Sequence, residues 1–515
     1  MSLNILRTRI CPLQMNLTRK GAQCRCCWLR ESHNRHVFCI HAYCSNACHL
    51  TEESSIVGIL LLSFISFFSV NTSAYYHLSP EISVSQYYSD NVKLMPRSMK
   101  KSEWILEVMP ALLLQAESPR SHMDAEYLLQ GLGYWNKSHA DKIYHRGSLH
   151  YERQISRKHM DFSMDGIYTQ QVLYPENQAF SGMQSGDNRS DVGSFQLGPD
   201  FRYSFGQKIR SDLKIKYGQT HYPSSNLSHV NDWLAEGGAW MGTHVQRLSS
   251  SFQYQYRETA QSYDLTLKTL TLNGLMQYEI SRRLIALFRV GYEDNQNLRG
   301  IQQSLDGYLW YAGFQYFPNK RTQITIQKGH RSFGDSSIVN ASWYRKRQSF
   351  SLDYGEEITT RARQQIDFSP RGNLNNIVFS PSQFTPTQIN QILISKTLDA
   401  VYRYNLERVQ FSVNAFQNKN IVLASSSEEK GKGVSFSADY EFRRNIHISA
   451  KASDVYQRYF NQEQDQRYVM AMGMSWQLAR SLSLSGSYQY FLNHSDNYFR
   501  KTGENLASIG FRYGG

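Results

Sequence analysis

Beyond Cys48 the chain contains no cysteine, although seven fall before that point, at Cys11, Cys24, Cys26, Cys27, Cys39, Cys44 and Cys48. Their absence from the rest excludes a disulfide framework there and suits passage through an oxidising compartment. Proline is scarce, at 12 of 515 residues. Only one long apolar run is present, residues 56–70, and about fifteen residues is short for a membrane-spanning helix. No 3.6-residue apolar period persists over a comparable length, which argues against a helical bundle. A GxSxG nucleophile elbow is absent, and with it the usual context of an α/β-hydrolase serine. Net charge is +13, an excess too dilute to argue for nucleic acid.

What is abundant is aromatic residues and glycine: Tyr 34, Phe 26 and Gly 32, beside a hydrophobic fraction of 41%. Leu284, Ala286, Phe288, Val290 and Tyr292 take every second position against Ile285, Leu287, Arg289, Gly291 and Glu293. After a polar break the same phase returns with Tyr308, Trp310, Ala312, Phe314 and Tyr316. A period of two predicts strands with one apolar and one wet face. Similar segments begin at Ile82, Trp104, His122, Ser148, Asp161, Ser194 and Lys208, and recur through Val434–Phe442, Tyr468–Trp476 and Leu482–Tyr490. Each has the length of a tilted strand crossing a bilayer.

Short turns, as at Ser281-Arg282-Arg283 and Pro318-Asn319-Lys320, alternate with long polar stretches at 295–305, 361–396, 418–431, 457–466 and 493–503. That sidedness predicts an all-β, antiparallel, up-and-down transmembrane β-barrel of about 22 strands, within a range of 18–22. Short turns would face the periplasm and long loops the exterior of a Gram-negative outer membrane. The last strand, with Ile509, Phe511 and Tyr513 on one face, resembles an outer-membrane assembly signal.

Three parts follow. Residues 75–515 form the barrel. Residues 55–74, an apolar core ending in Asn71-Thr72-Ser73-Ala74, read as a signal peptide. Residues 1–54, with their cysteines and histidines, read as an extension absent from the mature protein; zinc binding is the alternative, but the spacing matches no paired CxxC pattern.

The motifs Tyr88-Ser89-Asp90-Asn91-Val92, Lys101-Ser102-Glu103 with Glu107-Val108-Met109-Pro110, and Gly291-Tyr292-Glu293-Asp294-Asn295 come in one order. They are followed by Trp310, Gly313, Gly329-His330-Arg331, Phe333-Gly334 and Tyr354-Gly355-Glu356-Glu357. This order resembles the outer-membrane β-barrel proteins associated with the PEP-CTERM and exosortase system. The resemblance implies a role in exopolysaccharide export beside periplasmic export components, and supplies no catalytic residue to carry over.

The expected activity is a porin-like conduit or scaffold, monomeric or trimeric, without enzyme activity, cofactor, metal or nucleic acid, and with outer-membrane lipid and exopolysaccharide as partners. The rivals are a non-conducting barrel that tethers polymer through its loops and a soluble secreted carbohydrate-binding protein. Arg282, Arg283, Lys320, Arg321, Arg345, Lys346, Arg347, Arg408, Arg443, Arg444 and Arg480 fall at predicted short turns. They form either a cationic rim that steers a polyanion or ordinary polar turn chemistry. Lys208, Arg210, Lys214 and Lys216 line the predicted lumen, interrupted by Asp212, as a cationic track or as one half of a compensated wall. Asp294 and Glu356-Glu357, weighed as glycosidic carboxylates, are expected to be solvated loop charge.

Overall fold

The computed structural model describes residues 75–172, 189–206, 209–222, 229–245, 247–261, 265–296, 305–360, 392–423 and 425–514. The extension, the apolar run and most of the 361–396 stretch lie outside them.

These residues form 22 strands. In order they are β1 (Tyr75–Ser89), β2 (Glu103–Ser118), β3 (Ser121–Tyr134), β4 (Lys142–Ser156), β5 (Met160–Val172), β6 (Arg189–Phe205), β7 (Ile209–His221), β8 (Val230–Val245), β9 (Leu248–Gln261), β10 (Leu265–Ser281) and β11 (Leu284–Gln296). The second half comprises β12 (Gly307–Asn319), β13 (Thr322–Arg331), β14 (Gly334–Arg345), β15 (Gln348–Thr360), β16 (Ile392–Asn405), β17 (Val409–Val422), β18 (Glu428–Arg443), β19 (Ile446–Arg458), β20 (Gln464–Ala479), β21 (Leu482–Ser495) and β22 (Thr502–Gly514). Each strand pairs antiparallel with its neighbours in sequence, and β1 closes on β22 from Glu81↔Gly514 to Ser89↔Leu506. Closure leaves no sheet edge, as strands in lipid require. No helix among the described residues is long and apolar enough to cross a membrane.

Alternation runs along the ladders, with register shifts at the short-turn ends of six strand pairs among the described residues. Phe288, Val290, Val434, Phe436, Met470, Met472 and Met474 point out and are exposed, while Leu287, Glu293, Tyr311 and Gln327 point in and are buried. Outward aromatics gather at both ends of the wall. Tyr203, Tyr278, Tyr316, Phe442 and Trp476 stand near the short turns, and Tyr88, Trp104, Trp233, Tyr308 and Trp310 near the other rim. Two such girdles around an apolar band mark a lipid-facing surface. A soluble protein would have no counterpart for it.

Several boundaries differ from the sequence expectation. The strand expected at 82–94 is Tyr75–Ser89, and the expected loops at 418–431, 457–466 and 493–503 are in large part ladder at both of their ends. Their polar residues continue the strands above the apolar band, where cross-strand pairing rather than lipid sets the pattern. Strict long–short alternation also fails at two long-loop-side connections, where three residues join β9 to β10 and Ser332-Phe333 alone joins β13 to β14. Gly291-Tyr292-Glu293-Asp294-Asn295 is strand, not the start of a loop.

The glycines of the motif region serve the wall. A Cβ on Gly313 would lie 2.0 Å from the Ile326 carbonyl oxygen, and one on Gly329 would lie 1.8 Å from that of Trp310. The β12–β13 ladder therefore bends too tightly at these points for any side chain.

Candidate functional site: the lumen and its two rims

The inward side chains divide the lumen into two halves along its axis. Toward the long loops they are buried: Glu103, Glu107, Asp232, Glu293, Asn420, Asp465 and Glu504 are each at most 2% exposed. Toward the short turns the inward side chains are wetter, as at Glu117 and His122. The lumen is thus a vestibule that is wetter toward the short-turn rim.

Chain segments folded inward produce the closed half. Residues 90–102 put Val92 against Ile105, Leu132, Tyr134 and Tyr144, and Leu94 against Val469 and Phe491. The Asn91 amide donates to the carbonyls of Met95 and Gly503 at 2.8 and 2.9 Å. Glu103 accepts backbone N–H bonds from Trp104, Asn136 and Ser138. Burial opposes the Asp90 charge, yet hydrogen bonds from Lys100 and Asn505 outweigh it and hold the carboxyl below the usual range. His139, in the loop after β3, is pushed down by burial and by Lys93 and Lys142.

A second cover comes from the β15–β16 hairpin. β14 pairs with β15 only from Arg345↔Gln348 to Val339↔Tyr354, while β15 and β16 stay paired up to Thr360↔Ile392. The top of the hairpin leaves β14 and buries Ile358 and Ile392 with Leu267 and Leu305. Arg331 joins the parts. It ion-pairs with buried Glu293 and donates to the Glu356 carbonyl at 2.6 Å, while Ser332 Oγ donates to Glu293 Oε2 at 3.0 Å. Glu356 is therefore no solvated loop charge: its carboxylate is 4% exposed and accepts from Lys396 at 3.1 Å. Asp294, within β11, accepts from Gln296, and Glu357 is exposed.

The vestibule wall has a charged sector and a neutral one. Across β2–β5, His122 lies between Glu117 and Asp124 at 3.3 and 2.6 Å, and His150 between Glu152 and Asp165 at 3.4 and 2.7 Å. Of the expected lumenal track, Lys214 pairs with Glu236 at 3.1 Å and Lys216 with Asp200 at 3.8 Å. Arg210 points inward and is exposed, and Lys208 lies outside the described residues. Compensation describes the wall at Lys214 and Lys216. From β17 to β22 the wall is hydroxyl-rich: Ser412 bonds Ser437 and Ser487 bonds Ser508, both at 2.7 Å. A hollow of about 580 Å³ opens there among Gln410, Asp439, Ser449 and Ser487.

Arg282, Arg283, Lys320, Arg321, Lys346, Arg347, Arg408, Arg444 and Arg480 all sit in short turns, with Arg345 and Arg443 at adjoining strand ends. Sequence reasoning missed Arg120, Arg157, Lys158 and Arg247, which occupy the short turns after β2, β4 and β8. A basic residue at each break in alternation was the available signal. Arg347 is partnered by Glu407 at 3.4 Å, and the Arg443 guanidinium lies 5.8 Å from the ring centre of lipid-facing Phe442. Basic residues thus gather at the short turns, and Arg443 among them lies beside the lipid-facing ring of Phe442.

Residues 416–513 match the family model described as "Putative beta-barrel porin 2". No curated protein matches the chain. Among solved structures, it is similar to the siderophore receptor PirA from Pseudomonas aeruginosa, with 9% identity and TM-score 0.45 over 85% of this chain and 80% of that one. It is also similar to the FrpB iron transporter from Neisseria meningitidis, with 8% identity and TM-score 0.49 over 85% and 81%. Nothing about a ligand passes from these receptors to this chain. The chain is thus a closed 22-strand antiparallel β-barrel whose last six strands carry the match to that porin family model.

Proposed function

We propose that the barrel is a porin-like element of exopolysaccharide export in the outer membrane, tied to the PEP-CTERM and exosortase system by its motif order. The observation that carries the reading is the vestibule: wetter toward the short-turn rim, partly lined by serine hydroxyls, and ringed by arginines and lysines. Hydroxyl and amide walls exchange hydrogen bonds with a polyhydroxylated chain one for one, so the polymer slides without deep binding minima. The cationic rim raises the local concentration of an acidic polymer, an effect that weakens with salt. Short turns then face the periplasm, where polymer and export components would approach. No catalysis and no cofactor enter this reading.

The inward-folded cover at the long-loop rim favours a second reading, a barrel that holds polymer or a partner without conducting. Planar-bilayer recording separates the two. The conduit reading expects discrete conductance that acidic oligosaccharides block from the short-turn side; silence under all potentials would leave the tethering role. Recovery of the protein outside the outer-membrane fraction would remove both.

A further inference from the structure

At the β9–β10 seam an outer-face cation of the long-loop half is neutralised across the strands. Lys268 lies opposite Glu258 as an ion pair. The seam formed by β17, β18 and β19 instead sets cation opposite cation, with one carboxylate shared between two lysines. There Lys419 lies opposite Lys430, and Lys430 opposite Arg458, with Lys432 two residues further along β18. All four share the outward face with Val434 and Phe436, since the alternate residues Asn418, Asn420 and Glu429 are buried in the lumen. Like charges placed directly opposite destabilise a sheet. The local carboxylates are Glu428, which accepts from Lys419 at 2.5 Å and Lys430 at 2.8 Å, and Asp454, which accepts from Gln466. Lys432 stands 5.2 Å from the Tyr456 ring centre, and the Arg458 Nε is buried without a hydrogen-bond partner.

Height fixes the kind of partner. Lys432 and the girdle residue Phe442 lie on one face of β18. At a rise of ~3.3 Å per residue and a tilt of ~40° they are separated by roughly 25 Å along the barrel axis, the height of the apolar band. The four cations thus stand at the headgroup level of the leaflet on the long-loop side. We propose that they bind the phosphates of a phosphorylated glycolipid in that outer leaflet, with Val434, Phe436 and the Met470–Met474 row against its acyl chains. The assignment rests on the orientation proposed above and is independent of conduction.

The test uses the folded barrel in neutral detergent, titrated with bisphosphorylated lipid A, its dephosphorylated form, or phosphatidylglycerol, with bound lipid counted by native mass spectrometry. The bisphosphorylated lipid is expected to bind in preference to both others, and K430Q/R458Q to weaken it by about tenfold, the loss of one to two charge-assisted contacts. Retained gel heat-modifiability shows that the variant is folded, and K268Q, at a neutralised seam, serves as the control. Equal binding of the dephosphorylated lipid, equal binding of phosphatidylglycerol, or full affinity in the folded variant would each overturn the assignment. An unchanged conductance in K430Q/R458Q keeps this site apart from the export reading.

Discussion

Glu293 and Arg331 show how much one pair can carry in a hollow wall. Both belong to the motifs that suggested a family, and their ion pair joins β11 to the β13 end, from which Arg331 reaches the leaning hairpin. Removing one partner of a buried pair leaves the other charge uncompensated, which typically costs about 3–5 kcal/mol. Glu293→Gln is therefore expected to lower the denaturant midpoint for unfolding from vesicles by that order, with Arg331→Gln comparable and the double variant less than additive. Asp90 carries a pH dependence. Its folded carboxyl ionises more readily than the usual 3.8, so the Lys100 and Asn505 contacts contribute stability above that pH. That contribution is lost as pH falls through the lower folded value. Acidification below 3.8 is expected to loosen the β1–β22 closure in the wild type, seen as earlier loss of the compact gel form. Asp90→Asn should be weaker at neutral pH and lack that acid-dependent step.

At the scale of strands, two constraints act on alternate residues. The outward set must be apolar: Phe288→Lys, in mid-wall on β11, is expected to cost about 2–4 kcal/mol in folding into vesicles. The same change at Gln315, on the lumenal face of β12, should cost far less. Glycine at 329 is a constraint of backbone approach, since any Cβ there meets the Trp310 carbonyl. Gly329→Ala must open the β12–β13 ladder, a local change that faster amide exchange in β13 would report.

For the whole molecule, the decisive property is which end is closed. The long-loop half is held shut in part by the apolar contacts of Ile358 and Ile392 with Leu267 and Leu305, on a hairpin already detached from β14. This hairpin has given up its pairing with β14 beyond Tyr354, which makes it the part of the cover best able to move. I358N/I392N is expected to raise single-channel conductance several-fold in a barrel that remains heat-modifiable. Unchanged conductance would place the constriction at the other cover, around Val92 and Leu94.

Period-two alternation against lipid is a local code, so the sequence by itself determined an antiparallel barrel near 22 strands, its lipid face and the basic short turns. Leu284–Tyr292 and Val434–Phe442 could be read directly because each outward residue meets the same apolar solvent. Strand ends above the apolar band were beyond that code: at Asn418, Gln457 and Asn493 both faces are polar, and only pairing decides strand from loop. The lumen belonged wholly to tertiary structure. Whether Lys214, Glu356 or Glu293 is free or neutralised depends on side chains from other strands, brought opposite by register and by the inward lean of one hairpin. The cationic seam on β17–β19 is of the same kind. Lys419, Lys430 and Arg458 are unremarkable along the chain, and become a site because antiparallel pairing sets them side by side.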